Sequence, residues 1–129
     1  MLPSAHRMRR GAEFTLTVRH GRRAGRANLV AHLLRRDDVH AQPVAGFIVG
    51  RVVGNAVVRN SVRRRLRHLV AEHVHQLPRG SLLVVRANPK AATARYDDLA
   101  ADLQSALQRL LRERSSGRDG GARTDKGRT

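Results

Sequence analysis

Residues 51–67 read RVVGNAVVRNSVRRRLR, and this stretch decides how the middle of the chain folds. Gly54 and Asn55 interrupt an apolar run, and apolar residues then recur at steps of three and four, as in an amphipathic helix. We predict a helix from about 56 to 76 that begins after Asn55 and ends before Pro78 and Gly80. Its apolar stripe is Val58, Val62, Leu66, Leu69, Val70, Val74 and Leu77.

The same stretch is densely cationic. Six of its seventeen residues are arginine, and no Asp or Glu occurs between Asp38 and Glu72. On a helix, one row holds Arg59, Arg63 and Arg67, and the adjacent row holds Asn60, Arg64 and His68, with the apolar stripe opposite. Like charges four residues apart cost about 0.2–0.5 kcal/mol per pair, so the arrangement favours a phosphate-rich partner. The alternative is a solvated basic face.

The rest of the chain predicts a single α+β domain over residues 1–114, which begins with a basic arm at 1–10. We predict a short helix at 12–20 ended by Gly21, a basic loop of Arg22, Arg23 and Arg26, and strands at 28–34, 44–49 and 82–86. A polar turn at 35–38 suggests that the first two strands form an antiparallel pair. A last helix at 95–112 has a stripe that begins with Tyr96 and Leu99, and 115–129 is predicted to be a disordered tail.

Composition limits the class of protein. The net charge of +16 and the pI near 12.0 favour nucleic acid over a membrane surface, because the only aromatic residues are Phe14, Phe47 and Tyr96. The chain has no cysteine, which excludes disulfides and thiolate chemistry and fits the cytoplasm. No apolar run approaches the roughly 20 residues of a membrane span.

Nothing in the sequence indicates that the protein itself catalyses a reaction. The seven histidines are scattered, and no carboxylate pair lies near a plausible base. His68, Glu72 and His75 could share a helical face, which is the single metal-like grouping, but such a motif is weak without its structural context. We therefore expect no catalytic residue and no metal ligand on this chain.

The stretch before and within the predicted arginine helix resembles the signature of a known family. Residues 46–67, GFIVGRVVGNAVVRNSVRRRLR, resemble the signature of the bacterial ribonuclease P protein subunit, in which a Gly-Asn-Ala-Val turn leads into an Arg-Asn-x-x-Arg/Lys-Arg helix. The similarity extends over about residues 7–112. The matching positions are Gly54, Asn55, Ala56, Val57, Arg59, Asn60, Arg63, Arg64 and Arg67.

The resemblance implies a function. Family members bind the catalytic RNA of ribonuclease P, and the complex removes the 5′ leader of precursor tRNA with Mg²⁺ bound mainly by the RNA, which performs the chemistry. A monomer in a one-to-one complex, without a membrane, is implied. The implied RNA-binding residues are Arg51, Asn55, Arg59, Asn60, Arg63, Arg64 and Arg67, with Phe14 as the candidate for stacking on a leader base.

The resemblance also implies a fold, a sandwich of a small mixed sheet with three helices and a left-handed βαβ crossover, against the usual right-handed default. The alternative interpretation of Phe14 is that it is an ordinary core residue. Val18 and His32 stand where relatives often carry aromatics, and Val52 stands where relatives often have a cation. These departures predict weaker contact with the leader.

Three other functions remain open from the sequence. A general RNA-binding or ribosomal protein would also carry a basic helix. A DNA-binding regulator would need base-reading residues and usually a dimer seam, and neither is recognisable. A protein-only nuclease would need a carboxylate cluster, which the sequence lacks.

Overall fold

A computed structural model describes residues 2–38 and 40–117, with side chains of the last helix described as far as Arg112. The helices are α1 (Gly11–His20), α2 (Ala56–Ala71) and α3 (Tyr96–Gly117). The strands are β1 (Arg22–Gly25), β2 (Leu29–Leu34), β3 (Val44–Ile48) and β4 (Leu82–Ala87), and short 3-10 turns cover Ser4–His6, Val74–Gln76 and Pro89–Thr93.

The four strands form one mixed sheet in the order β1-β2-β4-β3. The β1–β2 and β2–β4 pairs are antiparallel, whereas β3 and β4 run parallel. Because the residues of β4 from Leu82 to Val85 are fully buried, this strand holds the central position that its continuous apolar run predicts. The α+β class with a small mixed sheet and three helices is confirmed.

The predicted antiparallel pairing of β2 with β3 is wrong. β4 lies between them, and it enters the sheet only after the chain has crossed over through α2. The polar residues at 35–38 therefore belong to a loop rather than to a hairpin. β4 is apolar on both faces, so burying it in the centre removes more apolar surface from water than placing it at an edge. The parallel β3–β4 pair provides the βαβ unit, and the hand of its crossover stays a prediction.

The predicted basic loop at Arg22 and Arg23 is also wrong, because these residues form β1. Arg22 pairs with Leu33, and Arg23 pairs with His32. Pairing with β2 supplies the backbone hydrogen bonds of a strand to a segment whose composition does not favour one. The arginine side chains are exposed, as expected at the edge of a sheet.

The sheet separates two apolar clusters. On one face the main core contains Leu29, Leu33 and Val85 and packs against α2 and α3. On the other face Met8, Leu82 and Val84 pack against α1. The arginine helix and α1 therefore lie on opposite sides of the sheet.

The helices confirm most of the predicted stripes. Val62, Leu66, Leu69 and Val70 of α2 are buried. The helix ends at Ala71 rather than near 76, and Val74 and Leu77 are buried from the 3-10 turn and the residue after it.

The last helix differs from its prediction at both ends. Leu99, Leu103 and Leu110 are fully buried, but Tyr96, which was assigned to the same stripe, is 39% exposed. The helix continues to Gly117, so it includes the first residues of the predicted tail. Residues 118–129 lie outside the described part of the chain, and the disordered tail stays a prediction there.

The short helix α1 ends where the sequence predicts, but for a different reason. Gly21 has an extended backbone (φ −77°, ψ 165°) and not the left-handed conformation of many helix ends. A Cβ at this position would lie 2.5 Å from the carbonyl oxygen of Thr17 and 2.9 Å from that of Leu33. Glycine is therefore required by the close approach of α1 to β2.

The N-terminal arm is part of the fold. The amide of Met8 donates to the carbonyl of Ala45 (2.8 Å), and Arg7 forms an isolated parallel bridge to Ala45. Leu2 is fully buried in the main core. The arm therefore runs along the outer edge of β3.

A substitution at Gly46 tests how α1 packs against the sheet. A Cβ at Gly46 would overlap the ring of Phe14 and lie 3.0 Å from Sδ of Met8. We expect Gly46→Ala to lower the free energy of unfolding by about 1–3 kcal/mol, as overpacking does. Urea denaturation would measure it. The matched control is Gly25→Ala in β1, whose Cβ would meet nothing within 4 Å. Equal stabilities of the two variants would contradict this account of the α1 contact.

Candidate nucleic-acid interface

The start of α2 is built as the sequence predicts. Asn55 is the N-cap, and its side-chain oxygen accepts a hydrogen bond from the amide of Val58 (3.0 Å). A Cβ at Gly54 would lie 2.9 Å from Cβ of Val58, so only glycine lets the turn approach the helix this closely. The remaining first-turn amides carry the partial positive charge of a helix N-terminus, which suits an anion.

The arginine rows of α2 sit differently around the helix. Asn60, Arg64 and His68 are exposed and point away from the core, whereas Arg59, Arg63 and Arg67 are half-buried along its border. With 3.6 residues per turn, the row of Arg59, Arg63 and Arg67 lies next to the apolar stripe rather than opposite it, as the sequence had suggested. The interface therefore has an outward row and a flanking row.

One member of the flanking row, Arg67, has a perturbed pKa. Partial burial lowers the pKa of Arg67, and repulsion from Arg7 of the N-terminal arm and from Arg63 lowers it further. The arm on β3 thus brings a cation from a distant part of the sequence against α2. The guanidinium groups are held close together by the fold, and no carboxylate is among the causes of this shift.

Among the described residues, two of the five arginines of α2 donate a hydrogen bond to another protein group. Arg63 donates to Oδ1 of Asn60 (3.2 Å), and Arg65 donates to the carbonyl of Ala94 (3.4 Å). The Nε of Arg59 is buried and has no hydrogen-bond partner among the residues described. Guanidinium groups bind phosphate oxygens in a bidentate manner, and the exposed Arg64 is open to such a partner.

The turn before α2 adds one more cation. Arg51 is exposed, and its carbonyl accepts from the amide of Gly54 (3.1 Å), which places it beside the N-cap. Val52 of this turn is 76% exposed, and Val57 in the first turn of α2 is 78% exposed. The structure therefore brings Arg51 and Asn55 together with the rows of α2.

Phe14 lies apart from this group. Its ring packs on Gly46 and Met8 on the α1 side of the sheet and is half-buried. The core reading of Phe14 is supported by this packing, while part of the ring remains open to a ligand.

A second basic site lies on that same side of the sheet. Gly46, Val84, His32 and Arg23 are successive cross-strand neighbours. Phe14 over Gly46 is therefore about 10 Å of sheet away from His32, at 4.7–4.9 Å per strand. Arg23 and Arg86 are both exposed there. We call this surface, from Phe14 to His32, Arg23 and Arg86, the α1 cleft.

Arg23 and Arg86 were not predicted from the sequence as members of this site. Arg23 was assigned to a loop, and a loop has no regular alternation that predicts the side on which a side chain lies. The period-two alternation of Leu82, Val84 and Arg86 in β4 is the signal that could have placed Arg86 on the cleft side.

His32 is an unusual histidine. It is only 4% exposed, and neither ring nitrogen has a hydrogen-bond partner among the described residues. Burial lowers its pKa to about 4, with smaller contributions from the positive charges of Arg86 and Arg23. The imidazole is therefore neutral near pH 7.

The metal-like grouping of the sequence is not formed. α2 ends at Ala71 and a 3-10 turn follows at Val74–Gln76, so His75 does not continue the helical face of His68. Among the residues that the structure describes, no three His, Asp or Glu side chains are grouped so that they could hold a metal ion. Within the described ranges, no helix combines the length and apolarity of a membrane span.

Comparison with known proteins gives one consistent family. A family model described as Ribonuclease P matches residues 2–111. A ribonuclease P protein component from Nocardioides sp. is 56% identical over 111 residues, which covers 85% of this chain and 95% of that protein. One from Streptomyces griseus is 54% identical over 118 residues, with coverage of 86% and 96%.

Solved structures show the same fold. A mutant RNase P protein of Staphylococcus aureus superposes with a TM-score of 0.74 at 20% identity, covering 83% of this chain and 89% of that one. The RNase P protein of Thermotoga maritima gives 0.67 at 22% identity, with coverage of 82% and 96%.

The buried imidazole predicts a pH dependence of stability. The folded protein takes up the His32 proton only below about pH 4, whereas the unfolded chain takes it up near its ordinary pKa of 6.5. The resulting loss of folding stability is absent above about pH 6.5, grows as the pH falls, and is complete below about pH 4. It amounts to about 3 kcal/mol.

The variant His32→Gln, which stays neutral throughout, isolates this effect from the titration of carboxylates. Urea unfolding at pH 7 and at pH 4 should show a larger loss of stability for the parent protein than for the variant. Identical losses would show that His32 is protonated in the folded state as readily as in the unfolded one.

Proposed function

Because the chain belongs to the family of bacterial ribonuclease P protein components, we propose that α2 binds the catalytic RNA and that the α1 cleft binds the leader of precursor tRNA. Members of this family are the protein subunits of a ribonucleoprotein endoribonuclease that processes the 5′ end of tRNA. The chain is thus part of an enzyme and has an RNA partner. The assignment of each surface to one RNA is our proposal.

The observation that carries the proposal for α2 is the repulsion among its arginines. The fold holds Arg7 and Arg63 close enough to Arg67 to lower its pKa, in addition to the larger effect of its burial. A phosphate backbone relieves that repulsion, fills the donors left open on the flanking row, and releases its own counterions. The proposed contact set is Arg51, Asn55, Arg59, Asn60, Arg63, Arg64 and Arg67, with Arg7 added from the arm.

The α1 cleft suits a single strand better than a duplex. Phe14 offers a partly open ring at one end, and stacking on such a ring is worth about 1–3 kcal/mol per base. Arg23 and Arg86 supply positive charge for the backbone at the other end. Neutral His32 lies beneath this surface with both ring nitrogens buried, so we assign it no hydrogen bond to a base. Because a single ring is available, we expect leader binding to depend more on charge than on stacking.

The chemistry is assigned to the RNA. We propose that the catalytic Mg²⁺ is bound mainly by the RNA, as the resemblance to the family implies. The protein contributes orientation and positive potential, which lower the repulsion between the two RNAs. We propose one protein per RNA, acting in the cytoplasm.

The function is tested by cleavage of precursor tRNA at low Mg²⁺ with protein alone, catalytic RNA alone, and both. We expect cleavage only with both, because the RNA needs the protein's charge where Mg²⁺ is scarce. Cleavage by the protein alone would place a catalytic site on this chain. Tight RNA binding without stimulation would indicate a general RNA-binding protein instead.

The double variant Arg63→Gln/Arg64→Gln locates the effect on α2. It should weaken catalytic-RNA binding at least about tenfold and reduce the log–log salt slope by about 1.4, at ~0.7 per phosphate contact. The charge-matched control is Arg79→Gln/Lys90→Gln, which removes two exposed cations outside the proposed set. Equal losses in both variants would mean that only net charge matters.

A further inference from the structure

Tyr96 and His68 form an aromatic pair on the surface. Their ring centroids are 6.3 Å apart with an interplanar angle of 60°, an edge-to-face contact between α3 and α2. Tyr96 is 39% exposed and His68 is also exposed. The helical stripe predicts that Tyr96 is buried, but the core does not cover its ring completely.

The pair is held in place by the junction of two helices. Tyr96 is the first residue of α3, and Arg65 of α2 donates to the carbonyl of Ala94 just before it (3.4 Å). His68 lies near the end of α2, with its backbone fixed by the buried Leu66 and Leu69 on either side. The rings are therefore presented by rigid elements rather than by a mobile loop.

The pair also continues the outward row of α2. His68 is one helical turn beyond Arg64, so the sequence of side chains along this face is amide, guanidinium, imidazole and then phenol. A nucleotide whose phosphate contacts Arg64 would find aromatic rings within one nucleotide length. This spacing is what a stacking platform beside a cationic track provides.

Acidic groups border the phenol. The pKa of Tyr96 is raised by burial first, and then by the negative charges of Glu72 and Asp97. Glu72 is also the residue that ends the acid-free stretch of the sequence. Carboxylates repel phosphate but accept hydrogen bonds from the exocyclic amino groups of bases. The rim of the pair is thus suited to a base edge, while its approach from Arg64 is suited to a backbone.

We propose that Tyr96 and His68 form a stacking site for one unpaired nucleobase of the catalytic RNA, whose phosphate lies on Arg64. Glu72 or Asp97 accepts a hydrogen bond from the amino group of that base, which favours cytosine, adenine or guanine over uracil. This inference rests on the proposed function, because it extends the RNA-binding face of α2. The catalytic RNA is chosen over precursor tRNA because the α1 cleft is on the opposite side of the sheet.

The native protein offers a direct probe of the contact. Tyr96 is the single tyrosine of the chain and there is no tryptophan, so its fluorescence reports on this site alone. Stacking of a base on the ring should quench that emission. We expect quenching when catalytic RNA is added to the full chain, after correction for absorption by the RNA. Unchanged emission at saturation would overturn the proposal.

Binding of the variants gives the energetic test. Tyr96→Ala should weaken catalytic-RNA binding about tenfold without changing the salt slope, because no phosphate contact is lost. Tyr96→Phe should retain the affinity, since the ring face remains. The matched control is Leu16→Ala, which removes another large side chain that is 39% exposed. Thermal unfolding of each variant shows whether the fold is intact.

The outcomes separate this inference from the function on which it rests. If Arg63→Gln/Arg64→Gln weakens binding and Tyr96→Ala does not, the stacking site is wrong and the function stands. If neither change weakens binding, the role of α2 itself fails. If Tyr96→Ala weakens binding of precursor tRNA and not of catalytic RNA, the base comes from the substrate and the proposal is overturned.

The base preference has its own comparison. Oligo(C) and oligo(U) of equal length carry equal charge, so a difference in their binding measures the base alone. We expect tighter binding of oligo(C), and loss of that preference in Glu72→Ala/Asp97→Ala, which removes both side-chain acceptors. Equal binding of both oligomers to the parent protein would contradict the role of the carboxylates.

Discussion

The burial of the apolar stripe of α2 holds its arginines together against their own repulsion. Val62, Leu66, Leu69 and Val70 are all buried, and each such side chain contributes about 1.5–3 kcal/mol. Repulsion between neighbouring cations on a helix costs only about 0.2–0.5 kcal/mol per pair. The core therefore wins by a wide margin, and it fixes a cationic surface before any RNA is bound. The N-terminal arm, fastened to β3 at Ala45, adds Arg7 to the same surface.

The two candidate RNA-binding surfaces lie on opposite faces of the sheet. α2 and α3 cover one face, and α1 with the cleft of His32, Arg23 and Arg86 lies on the other. A domain with such an arrangement can contact two RNA segments at once without either competing for the same residues. β4 is common to both sides, since Val85 faces the main core and Val84 faces α1. A change in β4 should therefore affect both surfaces.

Local features were the part of the fold that the sequence predicted well. The N-cap at Asn55, the apolar stripe of α2 and the buried β4 each follow from neighbouring residues and from period alone. The errors concern contacts between distant segments. β1 exists because β2 pairs with it, and β4 separates β2 from β3 because the chain crosses over through α2. The exposure of Tyr96 likewise depends on where α3 meets α2, which periodicity cannot show. The family predicted from the resemblance is confirmed by the comparisons.

We propose that Arg7 of the arm and Arg63 repel Arg67 in the free protein, and that RNA phosphates relieve this repulsion. A double-mutant cycle on Arg7→Gln and Arg67→Gln measures this directly, because the cycle cancels the packing that each long side chain contributes. Stability of the free protein and affinity for the catalytic RNA should both be determined. We predict an unfavourable coupling between Arg7 and Arg67 in the free protein and a favourable coupling in RNA binding. A favourable or zero coupling in the free protein would contradict the account.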